Sequence, residues 1–282
     1  MLDREEYIEQ AHFFRTLKSR IGEGLSTQDL LSSVREEILA TTKLPMAIDF
    51  MAGELKLQGV FGTAMTKLPH YFTPFQSFVV GEAESDKGHF DLPLALEILA
   101  REANYRAEGA TPQGLFLYQF ESIARNRLGY DGGLTAMAQD PVYDEAWRQW
   151  ILTVRRQVGL VDIADLIYVR SGHCLERQER LGNPTADAPP AVLFGPREGR
   201  IALANRRKDP ILLFAALHRQ LGYPEVPRRQ RIDQTPEIIP ALLRRVERME
   251  TRLKLLEEEQ RGGIDISRFY APPPPDSADE AP

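Results

Sequence analysis

The 282-residue chain has one cysteine, Cys174, no long apolar run and almost no strand-like alternation of polar and apolar residues. A lone thiol closes no intrachain disulfide, so nothing points to an oxidising compartment. The longest apolar-looking segment, Val158 to Val169, is cut by Asp162 and Asp165 and falls far short of the ~20 residues that span a bilayer. No membrane span is expected. Behind the charged start Met1-Leu2-Asp3-Arg4-Glu5-Glu6 there is no apolar stretch of the secretory type, and the cytoplasm is the expected location. Also missing are a glycine-rich phosphate loop, a nucleophile elbow, a Cys-x-x-Cys pair and a dinucleotide fingerprint. No catalytic residue, metal site or cofactor is assigned on this basis, and the sequence leans away from an enzyme.

What the chain does have is helix punctuation. Hydrophobic residues make up 43% of it, enough for a substantial core. Thr73-Pro74, Thr111-Pro112, Asp140-Pro141 and Asp209-Pro210 each place a capping side chain before a proline, the arrangement suited to N-cap and N1. Gln76, three residues beyond Thr73, completes a possible capping box. Leu128-Gly129-Tyr130 and Leu221-Gly222-Tyr223 offer a glycine for the left-handed position that closes a helix and an apolar residue to fold back on it. Periodicity fills in helices near 4–21, 27–42, 45–58, 74–86, 92–107, 112–128, 141–158 and 160–180. The expected fold class is all-α: a domain of about eight helices over 1–182, a linker with a short helical extension over 183–234, a coiled-coil segment over 235–261, and a disordered, acidic, proline-rich tail over 262–282. Within the linker, Ala191 to Phe194 reads as an extended stretch packed on the main domain.

The coiled-coil expectation rests on Leu242, Val246, Met249, Leu253 and Leu256, spaced four, three, four and three apart. A stripe this narrow is shaped to be covered by another helix. With Val246 at position a, Arg245 and Glu250, then Arg252 and Glu257, occupy the flanking positions with opposite signs, suited to pairing across two parallel copies. Pro240 sets the helix start, leaving barely three heptads. A homodimer or small oligomer is the leading reading; docking within the chain and capture of a partner's helix are the alternatives.

The net charge of −6 hides an asymmetry. Residues 197–254 hold fourteen Lys or Arg against seven acids, leaving the remainder strongly acidic. Arg206, Arg207, Lys208, Arg228, Arg229 and Arg231 are candidate anion contacts. Only Phe214 and Tyr223 lie among these cations as stacking aromatics, which argues against nucleic acid as a partner.

Other constellations are thinner. Asp162 and Asp165 fall three apart on one face of a predicted apolar helix, and buried acids need partners. Arg125 and Arg127, with Arg155 and Arg156, are the candidate counter-charges, and the group forms either an internal salt-bridge network or a polar pocket. Glu9-x-x-His12 has the spacing of carboxylate-bridged metal bundles but occurs only once, and Asp86-x-x-His89 is interrupted by Gly88. Ser171, His173 and Cys174 crowd together, yet residues adjacent on a helix point about 100° apart and make a poor nucleophile–base pair. The aromatic groups at 71–78, 116–120 and 143–150 have helical spacing and read first as core. Three functions follow as expectations: a self-associating scaffold or adaptor presenting a helical face, groove or proline-rich tail to a protein partner; a nucleic-acid-associated regulator; and an enzyme or small-ligand binder around Asp162 and Asp165.

Overall fold

The structure, a computed structural model, describes residues 2–21, 27–85, 90–181, 191–228 and Met249. The described residues form thirteen helices and no strand: α1 (Arg4–Arg20), α2 (Thr27–Glu37), α3 (Leu44–Gln58), α4 (Phe61–Thr66), α5 (Pro74–Glu84), α6 (Leu92–Ala107), α7 (Pro112–Asn126), α8 (Tyr130–Ala138), α9 (Glu145–Gln157), α10 (Ile163–Val169), α11 (Gly172–Arg180), α12 (Pro196–Ala204) and α13 (Pro210–Leu221). The fold is all-α. Of these helices, α7 is the axis: every residue from Gly114 to Ile123 is buried, as befits a helix walled in on all sides. Around it the apolar faces of the other helices merge into one continuous core.

Local capping chemistry explains most of the boundaries. Thr73 accepts from the Gln76 amide while the Gln76 side chain accepts from the Thr73 amide, a complete capping box at the start of α5. Gln76 also donates to the buried Gln10 carbonyl of α1 at 2.9 Å, so this cap is tied to the core. Thr73→Ala should cost about 1 kcal/mol, read as a shift in the urea midpoint without a change in slope. Thr111 and Asp209 cap α7 and α13 as expected, and Gly222 closes α13 at φ +66°. Carboxylates from distant helices cap where local residues do not: Glu84 accepts from Phe61 and Gly62 at 2.6 and 2.7 Å, opening α4.

Four expectations need correction. Asp140-Pro141 opens no helix; α9 begins at Glu145 under an Asp144 cap, and Asp140 is instead a buried counter-ion. Gly129 does not close α7. Arg127 itself takes the left-handed conformation at φ +55°, and Gly129 precedes the unforeseen α8. The single helix expected over 160–180 is two, because Asp162 caps α10, and Ser171 caps α11 by accepting from Cys174 at 3.3 Å. At that break Phe194 crosses in an isolated parallel bridge to Ser171, giving the expected extended stretch. Finally, residues 191–228 are no extension of a finished domain: the compact unit runs from Met1 to Arg229 and a second comprises Gln230–Pro282. Phe194 is the reason. Its ring lies 5.3 Å from that of Trp147, 5.2 Å from Trp150 and 6.4 Å from Phe116, so the segment supplies part of the core around α7 and α9.

Of the seam, Met249 is helical and half-exposed; Leu242, Arg245, Val246, Glu250, Arg252, Leu253, Leu256 and Glu257 lie outside the described residues, as do Asp86, His89, Arg229, Arg231 and the tail. No helix among the described residues is long and apolar enough to cross a membrane.

Candidate functional site

A tight turn between α9 and α10 begins the site. Val158 and Val161 are bridged, and the reversal demands Gly159 at φ +84°, a conformation that other residues adopt only under strain. The turn pushes Leu160 into solvent, 85% exposed, and delivers Asp162 to the start of α10. One oxygen of Asp162 accepts from the Ala164 amide at 3.0 Å; the other accepts from the Arg207 amide at 2.7 Å. The carboxylate thus fastens the loop between α12 and α13 to α10. Asp165, one turn on, pairs with Arg206, whose guanidinium also lies over the Tyr168 ring.

This fastening opens a cleft of about 700 Å³ between α7, α10 and α13. Its floor is aromatic, from Phe120, Tyr130 and Phe214, and Leu160, Val161 and Ile211 form an apolar lip. Arg125, Lys208 and Arg228 stand around it with Asp162 and Asp209. The two acids are engaged by backbone amides, Asp209 by Ile211 at 2.9 Å. Arg125 is held at 2.5 Å by Glu121, whose second oxygen accepts from Tyr223 at 2.8 Å. Burial, then the neighbouring Glu121, pushes the Tyr223 phenol well above its ordinary value, so it remains a donor at any physiological pH. Lys208 and Arg228 are exposed and form no ion pair with a described residue. The result is a concave apolar surface with cationic charge at its edge.

Two groups that the sequence kept apart therefore meet here. Asp162 and Arg125 came from the polar-pocket reading, and Lys208 and Arg228 from the anion-contact reading. Other predicted members lie elsewhere. Arg127 is exposed at the end of α7, Asp165 is paired with Arg206 rather than with Arg125 or Arg127, and Arg155 reaches Thr135 at 2.8 Å. Arg207 contributes its amide. Phe120 belongs to the aromatic group at 116–120 that reads first as core, Tyr130 to an expected helix closure, and the Leu160 lip to no predicted site; Gly159 followed by a capping Asp162 was the available signal, since it marks a turn where a helix had been expected to continue.

The remaining constellations have structural work. Glu9 accepts from the Leu39 amide at 3.1 Å and His12 is exposed beside Thr16. Ser171 donates to the Tyr168 carbonyl at 2.6 Å, Cys174 is buried, and the His173 ring packs against Tyr168. No group of three or more His, Cys, Asp or Glu among the described residues is arranged to hold a metal. No protein-family model, curated protein or solved structure matches the chain.

Proposed function

We propose that the protein is a helical binding protein whose cleft takes an amphipathic anion, a molecule with a flat or branched apolar body and one acidic group. The observation that carries this reading is the meeting, in one concavity, of an aromatic floor, an exposed apolar lip and the cations Lys208 and Arg228. Burial of the body against Phe120, Phe214 and Leu160 supplies affinity, and the cations choose the orientation and sign of the head group. Desolvating Asp162 or Arg125 is unnecessary, because their charges are already satisfied within the fold. A nucleic-acid partner has less support, since Arg206 is taken up by Asp165 and Tyr168. Self-association through the 235–261 seam fits the same reading: it would array copies of the cleft and give the protein the character of an adaptor.

The probe is 8-anilinonaphthalene-1-sulfonate, which has both features. Calorimetric titration of the folded full chain should give one saturable site of micromolar affinity. Lys208→Glu with Arg228→Glu should weaken it at least tenfold, a change of about 1.4 kcal/mol or more, and Leu160→Asp should weaken it independently. Unsaturable heat, or affinity indifferent to all three substitutions, would remove the proposal.

A further inference from the structure

Helix α3 is apolar on both sides. Its buried face carries Leu44, Ala47, Ile48, Met51 and Leu55, as any helix lying on a core should. The opposite face presents Met46, Phe50 and Leu57, exposed to 69, 40 and 81%, with Gly53 between Phe50 and Leu57. The spacing is four, three and four, a coiled-coil interval. A helix that is hydrophobic all round belongs in an interior, and the described residues of this chain leave one side of α3 uncovered. Gly53 sharpens the point. Glycine within a helix is unfavourable, and a Cβ at position 53 would meet nothing within 4 Å, so no contact in the described chain requires it.

We propose that α3 packs antiparallel against α3 of a second copy, with Phe50 of each copy seated over Gly53 of the other and Met46 against Leu57. The stripe is self-complementary under this two-fold operation: the largest side chain meets the vacancy twice, as an isologous contact requires. Charge selects the same direction. Asp49 and Lys56 flank the stripe on one side and Glu54 on the other. Antiparallel helices bring Asp49 next to Lys56 of the other copy, twice, whereas parallel helices would set Asp49 against Glu54 and Phe50 against Phe50. Asp49 is also joined to Arg35, and Glu54 to Lys67, each at 2.5 Å, which leaves Lys56 as the flanking charge without an ion pair among the described residues. This contact is independent of the cleft.

Because the 235–261 seam could join copies by itself, mass alone does not test α3, and a directional cross-link does. The full chain carrying Met46→Cys with Leu57→Cys should form a covalent dimer rapidly under mild copper–phenanthroline oxidation. The two positions are about 16 Å apart along one helix, so they cannot close within a chain. Each single cysteine variant should cross-link at least tenfold more slowly, since each would face its own copy across the same distance; Cys174 is buried and present throughout. Adding Gly53→Ala should raise the melting temperature, by helix propensity, yet reduce the cross-link yield several-fold by filling the hole. No dimer from the double variant, equal yields from either single variant, or a yield unaffected by Gly53→Ala would overturn the proposal.

Discussion

Replacing Arg106 with leucine is expected to cost the fold about 3–5 kcal/mol, far more at pH 8 than at pH 5. Arg106 lies in α6 with its side chain fully enclosed. It donates to Glu102 at 2.7 Å through Nη2 and at 3.2 Å through Nε, and it pairs with Asp140 across the unit. Gln119 of α7 adds a bond to Glu102 at 2.8 Å, and Tyr143 donates to Gln119 at 2.9 Å. One cation thus serves two buried anions, while the second Glu102 oxygen has no partner. Without the guanidinium, both carboxylates face a low-dielectric interior, and an uncompensated buried charge is far dearer than a missing pair.

The pH dependence follows from Glu102. Burial, then Asp140, raises its carboxyl above the ordinary 4.5, against the lowering influence of Arg106 and Gln119. The folded state therefore binds more protons than the unfolded state in the interval between 4.5 and the raised value. Stability contributed by this group is fully present below 4.5 and is lost as pH rises through the folded value. Removing Arg106 deletes the main lowering influence, moves that value further up and widens the pH interval over which this stability is lost. Urea unfolding of the two proteins at pH 5 and pH 8 reads the effect. A deficit below about 1 kcal/mol, or one equal at both pH values, would mean that the network is hydrated or carries little energy. Adding Glu102→Leu to the variant should recover part of the loss, since one orphaned charge goes with it.

This network also explains where the sequence misleads. Asp140-Pro141 has the same local signature as Thr73-Pro74, Thr111-Pro112 and Asp209-Pro210, and three of those four cap helices. Capping is a contact between residues two or three apart, so its chemistry is written where it acts. Asp140 does accept from the Val142 amide at 3.1 Å, but no helix starts before Glu145 and its charge is taken up by Arg106, 34 residues away; nothing in the local pattern distinguishes a capping aspartate from a counter-ion. Arg127 is similar: Gly129 advertised a left-handed position, but the strained residue is an arginine two places earlier.

The cleft was legible in its parts. A carboxylate breaking an apolar stretch, and a basic stretch lacking aromatics, both drew attention to side chains that line it. That Asp162 would hold the Arg207 amide across 45 residues, and so bring Lys208 beside Arg125, is a property of how α10, α12 and α13 pack. The stripe on α3 was hidden for the opposite reason: residues 45–58 show an apolar period, and only burial separates the half that faces the core from the half that faces outward.

Phe194→Ala is the second large effect, about 3–5 kcal/mol, and it tests where the folding unit ends. The proline-rich stretch before residue 191 invites a boundary near 182. A chain divided there would lose a surface contact, with little change in the helical domain. In the structure, Phe194 is 1% exposed and its ring meets Trp147, Trp150 and Phe116, while its backbone accepts from Gly172 and donates to the Arg170 carbonyl. Truncation opens a cavity against α7 and α9, and α12 and α13 sit downstream of it, with Leu213, Phe214 and Leu217 in the same core. The two tryptophans of the chain are Trp147 and Trp150, so their fluorescence reports the contact directly. Unfolding followed by fluorescence and by far-ultraviolet dichroism should give coincident curves in the wild type and in the variant, both displaced to lower denaturant by the substitution. A fluorescence shift without loss of stability, or two separated transitions, would place the boundary near 182 after all. Coincidence would instead make the extended stretch at Leu193 and Phe194 the closing element of the core, and would place the two walls of the cleft, α7 before that stretch and α13 after it, in one folding unit.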